Sequence, residues 1–175
     1  NHALPTPYKR ESTNVENQIF GATLTIPSSE AINISRIVKK LKERKQAFVF
    51  SPDIKRAAVV IASYIRETEN QKCVILAPNI IDAKQLAKHL YGFNPILVTG
   101  DESQGKRFHS FEIFHSISEG LMIGTKPALF LIDSLVTTIF IVKSSHKNHG
   151  QHERNPRFDV REIAKQYAEK FATNL

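Results

Sequence analysis

Three histidines lie within seven residues of a polar segment: His146, His149 and His152. Imidazole nitrogens are common ligands of Zn²⁺, so this spacing raises the question of a zinc site. The histidines are evenly spaced, no cysteine lies nearby, and no pattern in the segment indicates a helix or strand that would fix their geometry. We therefore expect a solvated, histidine-rich loop and no bound metal.

A second candidate for chemistry is the short connection Ser51–Ile54, where a strand-like run leads directly into a helix. A phosphate-binding loop at such a place needs glycines, whose N–H groups wrap the phosphates, followed by Lys and Ser or Thr. No glycine lies between Ala22 and Tyr91, and Pro52 has no N–H to donate. Asp53 at the helix start would also repel a phosphate. No Ser/His/Asp or Cys/His set has a spacing specific enough to indicate covalent catalysis.

Apolar residues recur along the chain with the periods of strands and helices. Strands are predicted at 47–50, 73–77, 96–99 and 136–142, with a further strand beginning at Leu121. Helices are predicted from Ser28 to about residue 41 and at about 54–67, 82–91, 105–118 and 159–171. In the fourth of these helices four apolar residues are spaced three apart, and we expect them to pack into the core. They are Phe108, Phe111, Phe114 and Ile117.

The alternation of strands and helices predicts an α/β fold of three layers with a mainly parallel sheet. Val136–Val142 is β-branched and aromatic without Gly or Pro, which favours a fully buried strand of such a sheet. Polar connections as long as residues 143–156 are usually functional or disordered. We expect one domain over residues 28–175, preceded by a linker over residues 1–27 with only a weak strand pattern at 20–26.

Composition narrows the class of protein. With 41% hydrophobic and 23% charged residues, the chain of 175 residues has the composition of a soluble globular domain. No apolar run approaches the ~18 residues that cross a bilayer, so we expect no membrane contact. A single cysteine, Cys73, and no signal-peptide pattern at the start favour a cytoplasmic setting. The net charge of +7 fits either an anionic partner or a plain solvated surface.

One segment resembles a known protein family. Residues 123–130 read IGTKPALF, and a buried strand, a His-containing loop, Pro156-Arg157-Phe158 and Arg161-Glu162-Ile163-Ala164 follow. In order and spacing this resembles, over about fifty residues, the first RecA-like domain of the primosomal replication-restart helicase family, where the segment reads roughly IGTRSALF, a strand, DEEHDSSYKQ and PRYxARDxA. A looser resemblance extends over residues 28–172. It implies a RecA-like, P-loop NTPase-like domain.

The resemblance also implies ATP and magnesium as cofactors, but the two motifs that handle them are missing. Lys55 stands at the degenerate position of the phosphate-binding lysine, and Arg56 follows where a magnesium-binding hydroxyl is expected. In the family, carboxylates of DEEH hold magnesium and polarise the attacking water. This chain has Lys143-Ser144-Ser145-His146 instead. We therefore expect a degenerate domain with no catalytic residues, no cofactor and no ATP hydrolysis.

DNA contact is the second implication of the resemblance. Gly124, Thr125 and Lys126 match a turn that touches the DNA backbone in the family, and they offer a close main chain, a hydroxyl and a cation. Arg157, Phe158 and Arg161 match the end of the family's DNA-sensing loop, and arginine beside an aromatic ring suits single strands. Phe158 could equally staple the last helix to the core, and the two arginines could be solvated or paired with acidic residues.

These expectations combine into one function and two alternatives. The favoured function is a non-hydrolysing, helicase-like domain that binds or senses single-stranded or forked DNA in replication restart or repair. The first alternative is a scaffold that docks replication or repair proteins, and the second is a nucleotide-binding protein with an unusual loop.

Overall fold

The computed structural model describes residues 18–19, 22–23, 28–47, 49, 51, 53–151, 156–171 and 173–175. The helices in this part of the chain are α1 (Ser28–Lys42), α2 (Ile54–Glu67), α3 (Ile80–His89), α4 (Gln104–Ser116), α5 (Lys126–Leu129) and α6 (Val160–Phe171). The strands are β1 (Gln18–Ile19), β2 (Ala22–Thr23), β3 (Lys72–Leu76), β4 (Ile96–Val98), β5 (Gly120–Gly124), β6 (Thr138–Ile141), β7 (Gly150–Gln151) and β8 (Phe158–Asp159). Short 3₁₀ turns cover Tyr91–Phe93 and Lys147–His149.

Four parallel strands form the central sheet in the order β4-β5-β3-β6. Alternate residues of β3 point to opposite faces, as the period of two in a strand requires. Cys73 and Ile75 pack on the side of α2 and α3, whereas Val74 and Leu76 pack on the side of α4, α5 and α6. The predicted three-layer α/β architecture with a mainly parallel sheet is thus confirmed, and it is consistent with a RecA-like domain.

Local sequence explains where the helices begin. The carboxylate of Asp53 accepts a hydrogen bond from the Arg56 N–H (2.7 Å), and the Asn79 side chain accepts one from the Asp82 N–H (2.8 Å). Ser103 caps α4 in the same way. These side chains satisfy N–H groups that a helix leaves unpaired at its start, so α2, α3 and α4 begin close to the predicted residues.

Four predictions, about two strands, a loop and the linker, need correction or remain open. β6 is buried only in its first half, because Phe140 and Ile141 are partly exposed. The described part of the connection after β6 contains a 3₁₀ turn and β7, which pairs antiparallel with β8. In the predicted first strand, Phe48 and Phe50 lie outside the described residues, and Ala47 and Val49 are not in a strand. Of the predicted linker, residues 1–17, 20–21 and 24–27 also lie outside them, and β1 pairs antiparallel with β2.

The edge of the sheet beside β6 is occupied by the last described residues. The Ile139 N–H donates to the Asn174 carbonyl oxygen (2.8 Å), and the Asn174 N–H donates to the Thr137 carbonyl oxygen (3.0 Å). Leu175 in turn exchanges main-chain hydrogen bonds with Lys45 and Ala47. Residues 173–175 therefore join β6 to the segment that leads into α2.

A buried ion pair closes the opposite end of the sheet. Lys72, at the start of β3, is fully buried, and its ammonium lies 2.6 Å from Oδ2 of Asp133. The same ammonium lies 4.4 Å from the centroid of the Phe114 ring, and the Tyr167 hydroxyl donates to the Asp133 carbonyl oxygen. This arrangement connects β3, α4, α6 and the loop after α5. Among the described residues, no helix has both the length and the apolar character needed to cross a membrane.

Candidate nucleic-acid interface

The candidate site lies where β3, β4 and β5 end, because parallel strands bring the turns that follow them to the same edge of the sheet. Pro78 and Asn79 follow β3, Gly100 follows β4, and Thr125 and Lys126 follow β5. Together with the start of α4 and the β7–β8 pair, these turns surround an open groove of about 1510 Å³. The groove contains three of the residues that the sequence predicts for DNA contact.

Gly124 lies beneath the groove and is buried. A Cβ atom at this position would lie 2.2 Å from the Val98 carbonyl oxygen and 2.5 Å from Cβ of Ala128. The next N–H, that of Thr125, donates to the same Val98 oxygen (3.0 Å). The glycine is therefore needed so that β4 and α5 can approach each other, and its main chain supports the turn from below.

Lys126 and Thr125 are the polar residues of this turn that line the groove. Thr125 is mostly buried and precedes the first residue of α5. The Lys126 side chain crosses to the β7–β8 pair, where its ammonium donates to the Gly150 carbonyl oxygen (2.8 Å). Since that acceptor is uncharged, this contact does not offset the positive charge of the ammonium at the groove wall.

The charges that line the groove have one sign. Arg107 and Lys126 are cationic, and none of the described residues that line the groove carries a carboxylate. Arg107 is adjacent to an exposed ring, Phe108, and was not selected from the sequence. The pairing of a basic and an aromatic residue at 107–108 is the signal that could have identified it.

Aromatic rings stand on two walls of the groove. Phe108 and Phe130 are 60% and 63% exposed. The ring of Phe108 lies 6.2 Å from that of Phe111, and the ring of Phe130 meets that of Phe158 edge-on at 5.5 Å, each distance between centroids. Phe158 is thus half-buried beneath Phe130 and also packs on the core around α6. It therefore lines the groove, as expected of a DNA-contact residue, and also staples the last helix to the core.

The prediction that the phenylalanines of α4 are core residues was wrong for Phe108. Only Phe114 is fully buried, and Phe111 and Ile117 are half-buried. The cause is geometric: a spacing of three residues turns about 60° backward around the helix at each step, since the period is 3.6. Over nine residues this drift reaches about 180°, so Phe108 and Ile117 cannot share one face.

The two arginines of the predicted site differ in their surroundings. Arg157 is exposed between Pro156 and Phe158, two residues that line the groove. Arg161 is engaged within the protein: Nε donates to Oδ1 of Asp159 (2.8 Å), Nη2 pairs with Oδ2, and Nη1 donates to the Ser144 carbonyl oxygen (2.9 Å). Hydrogen bonding to Arg161 lowers the pKa of Asp159 to about 2. Arg161 therefore braces the loop against α6, while Arg157 stands beside the groove.

The histidine-rich loop is more ordered than the sequence suggests. His149 is almost fully buried, and its Nε2 lies 3.0 Å from the Val142 carbonyl oxygen, so the expectation of a solvated loop was wrong at this residue. Burial lowers the pKa of the imidazole. His146 starts the 3₁₀ turn, where Nδ1 accepts from the Asn148 N–H (3.1 Å), and His152 lies outside the described residues. In the described part of the chain, no group of three or more metal-ligating side chains is assembled.

The positions that would handle ATP in the helicase family hold other contacts here. The Asp53 carboxylate occupies the start of α2, Lys55 is exposed two residues further on, and Pro52 lies outside the described residues. At the end of β6, Lys143 has a φ of 51°, in the left-handed region, and its ammonium pairs with Asp82. Among the described residues at these two positions, the Asp53 carboxylate caps α2 and Lys143 stands where a magnesium–nucleotide complex would require a carboxylate.

Comparison with known proteins found no matching family model and no matching curated protein.

Proposed function

We propose that the groove binds DNA, and that the chain is a non-hydrolysing, helicase-like domain that binds or senses single-stranded or forked DNA in replication restart or repair. One observation carries the proposal: Thr125, Lys126 and Phe158 line one groove, together with Arg107, and no carboxylate of a described residue lines it. The link to replication restart rests on the resemblance of residues 121–171 to that helicase family.

The chemistry of the groove suits a polyanion. Phosphate binding at Arg107, Lys126 and the neighbouring Arg157 is favourable because it releases counterions. None of the described residues that line the groove is acidic, so none of them opposes phosphate binding by repulsion. Because only about three cations are involved, the affinity should be modest, in the non-specific range of about 10⁻⁴ to 10⁻⁶ M at physiological salt. The Lys126 ammonium would exchange the Gly150 carbonyl for a phosphate oxygen, which is a stronger, charge-assisted partner.

Fluorescence anisotropy with labelled single-stranded and forked oligonucleotides at several salt concentrations tests the proposal. The expected result is binding whose logarithm falls linearly with the logarithm of salt concentration. A Lys126→Ala, Arg157→Ala variant should bind more weakly and show a salt slope smaller by roughly 1.4, since each cation contributes about 0.7 on a single strand.

The matched control is Lys165→Ala, which removes one exposed charge on α6 outside the groove. Arg161→Ala is a poor probe, because it would also release the loop from α6. Equal binding by the double variant and the wild type would contradict the proposal, and so would an absence of binding at low salt.

A second function is favoured by one specific observation. Ile81, Phe108 and Phe130 are all more than half exposed at the groove, and exposed apolar side chains gathered at one place often mark protein-binding surfaces. The alternative is therefore a scaffold that docks a replication or repair protein. It predicts no salt-dependent oligonucleotide binding, so the same titration separates the two functions.

A further inference from the structure

Two phenylalanine rings that line the groove are too exposed to contribute much to the hydrophobic core. Phe108 on α4 and Phe130 at the end of α5 leave about three fifths of their surface in solvent. An exposed phenylalanine forgoes most of the stabilisation that its burial would give. Both rings nevertheless stand on the same groove, on different elements of the fold.

Each exposed ring is held by a second, less exposed ring. Phe111 lies one turn after Phe108, with the ring planes inclined by 31°, and Phe158 meets Phe130 nearly at right angles, at 79°. Aromatic pairs at centroid distances of 4.5–7 Å attract each other. The inner rings therefore restrict the orientation of the outer rings, whose outward surface stays accessible.

The exposed rings alternate with positive charge. Arg107 directly precedes Phe108, and Lys126 lies one helical turn before Phe130. A ligand that fits both features needs flat apolar groups and a negative charge in each repeating unit. A nucleic acid strand with unpaired bases has both in every nucleotide, whereas a duplex hides the faces of its bases in its own stack.

We propose that Phe108 and Phe130 are stacking platforms for unpaired nucleobases, so that the groove selects single-stranded nucleic acid by its bases as well as by its phosphates. This inference rests on the proposed function and adds two binding residues to it, neither of which belongs to the loop that resembles the family's DNA-sensing loop. Stacking tolerates any base, so the platforms would hold a strand without reading its sequence.

The experiment compares three probes of similar length: a thymidine 12-mer, an abasic 12-mer with the same phosphates, and a 12-base-pair duplex. The wild type should bind the thymidine strand about 25-fold or more tightly than the abasic strand, since each of the two rings should contribute about fivefold. Phe108→Leu and Phe130→Leu should each weaken binding of the thymidine strand about fivefold and leave abasic and duplex binding unchanged. Tyr91→Leu is the matched control, because Tyr91 is 71% exposed and does not line the groove.

A spectroscopic readout reports stacking directly. The chain contains no tryptophan, so Phe130→Trp introduces a single tryptophan, which can be excited at wavelengths that the four tyrosines do not absorb. Its emission should be quenched in a saturable way by the thymidine strand and not by the abasic strand. Because residue 130 is mostly exposed, this variant and the leucine variants should keep the thermal unfolding midpoint of the wild type to within a few degrees.

The outcomes distinguish base stacking on Phe108 and Phe130 from phosphate binding in the groove. Equal affinity for the thymidine and abasic strands would overturn the stacking platforms and leave phosphate binding in place. Loss of affinity for all three probes in the leucine variants would also overturn them, because the rings would then support the groove itself. No binding of any probe at low salt would remove the proposed function and this inference together.

Discussion

The ammonium nitrogen of Lys143 lies 2.8 Å from Oδ1 of Asp82, and Asn79 donates to the other oxygen of the same carboxylate (2.9 Å). The cation at the end of β6 is thus paired with the first turn of α3, across the edge where β3 and β6 end. In the helicase family that this chain resembles, the end of this strand carries carboxylates that hold magnesium. Here the charges of Lys143 and Asp82 offset each other, and the described residues 143–146 at the end of β6 include no acidic side chain.

We predict that ATP with magnesium produces no saturable heat in isothermal titration calorimetry. The reasons are the Asp53 carboxylate at the start of α2, which would lie next to the phosphates, and the cation Lys143 in place of a metal ligand. A saturable binding isotherm in the wild type would contradict this prediction and favour the unusual nucleotide-binding protein.

Gly124→Ala is expected to lower the free energy of unfolding by about 1–3 kcal/mol or more, as in other overpacked sites. The added methyl group would meet the Val98 carbonyl oxygen at 2.2 Å, and main-chain atoms cannot give way as a flexible side chain can. Urea denaturation measures the difference.

Gly105→Ala serves as the control for that glycine, because nothing lies within 4 Å of the added Cβ and the residue is within α4. The higher helix propensity of alanine compared with glycine should raise the free energy of unfolding of this variant by up to about 1 kcal/mol. Equal stability of the two alanine variants would contradict the close contacts of Gly124 with β4 and α5.

Asp133→Ala should destabilise the fold by about 3–5 kcal/mol, because it leaves the ammonium of Lys72 buried without its counter-charge. Replacing both partners, with Lys72→Met and Asp133→Ala together, should recover part of this loss, since no buried charge then remains. Chemical denaturation of the wild type, the Asp133→Ala and Lys72→Met single variants and the double variant forms a double-mutant cycle.

The exposed pair Lys84–Asp101 provides the comparison for the buried one. Lys84→Ala should change the free energy of unfolding by about 1 kcal/mol or less, because solvent screens both groups. A cost of that size for Asp133→Ala as well would argue that Lys72 reaches water when its partner is removed.

His149 should make the protein less stable in mild acid. Burial holds the pKa of the folded imidazole below its ordinary 6.5, so the unfolded chain binds a proton more readily than the folded one does. Stability is therefore lost as the pH falls from about 6.5, with a slope of at most about 1.4 kcal/mol per pH unit from this one group. The neighbouring charges of Arg161 and Asp159 act in opposite directions on this equilibrium.

Unfolding in urea at pH 7.5 and pH 5.5 measures that loss. His149→Gln keeps a donor for the Val142 carbonyl oxygen and cannot titrate, so the difference between the two pH values should shrink. His109→Gln, exposed on α4, should leave it unchanged. An imidazole resonance of His149 that titrates at or above pH 6.5 would disprove the assignment.

Much of the fold was predictable because its causes are local. α2 spans the predicted residues 54–67, since the Asp53 cap and the apolar period are both contained in the sequence. The burial of individual side chains was less predictable. Phe108 and His149 were assigned from composition and spacing, yet the exposure of Phe108 depends on helix phase, and the burial of His149 depends on where β6 ends.

The site itself was predictable only in part, because it forms from turns that are distant in sequence. Thr125, Lys126 and Phe158 were identified through a resemblance in one segment, and they do line one groove. Arg107 and Phe130 reach the same groove only after β4 and β5 pair, a contact between strands that no local pattern specifies. Arg161 shows the reverse, since a side chain selected for its charge has that charge satisfied by Asp159.

The position of residues 173–175 beside β6 bears on how the chain is made. During synthesis, β3 to β6 leave the ribosome before the segment whose Asn174 pairs with Thr137 and Ile139. Until that segment emerges, one border of the nascent sheet has unpaired main-chain groups, which can recruit another strand. A protein truncated after residue 172 should likewise be more sensitive to protease and more prone to associate than the same protein with residues 173–175.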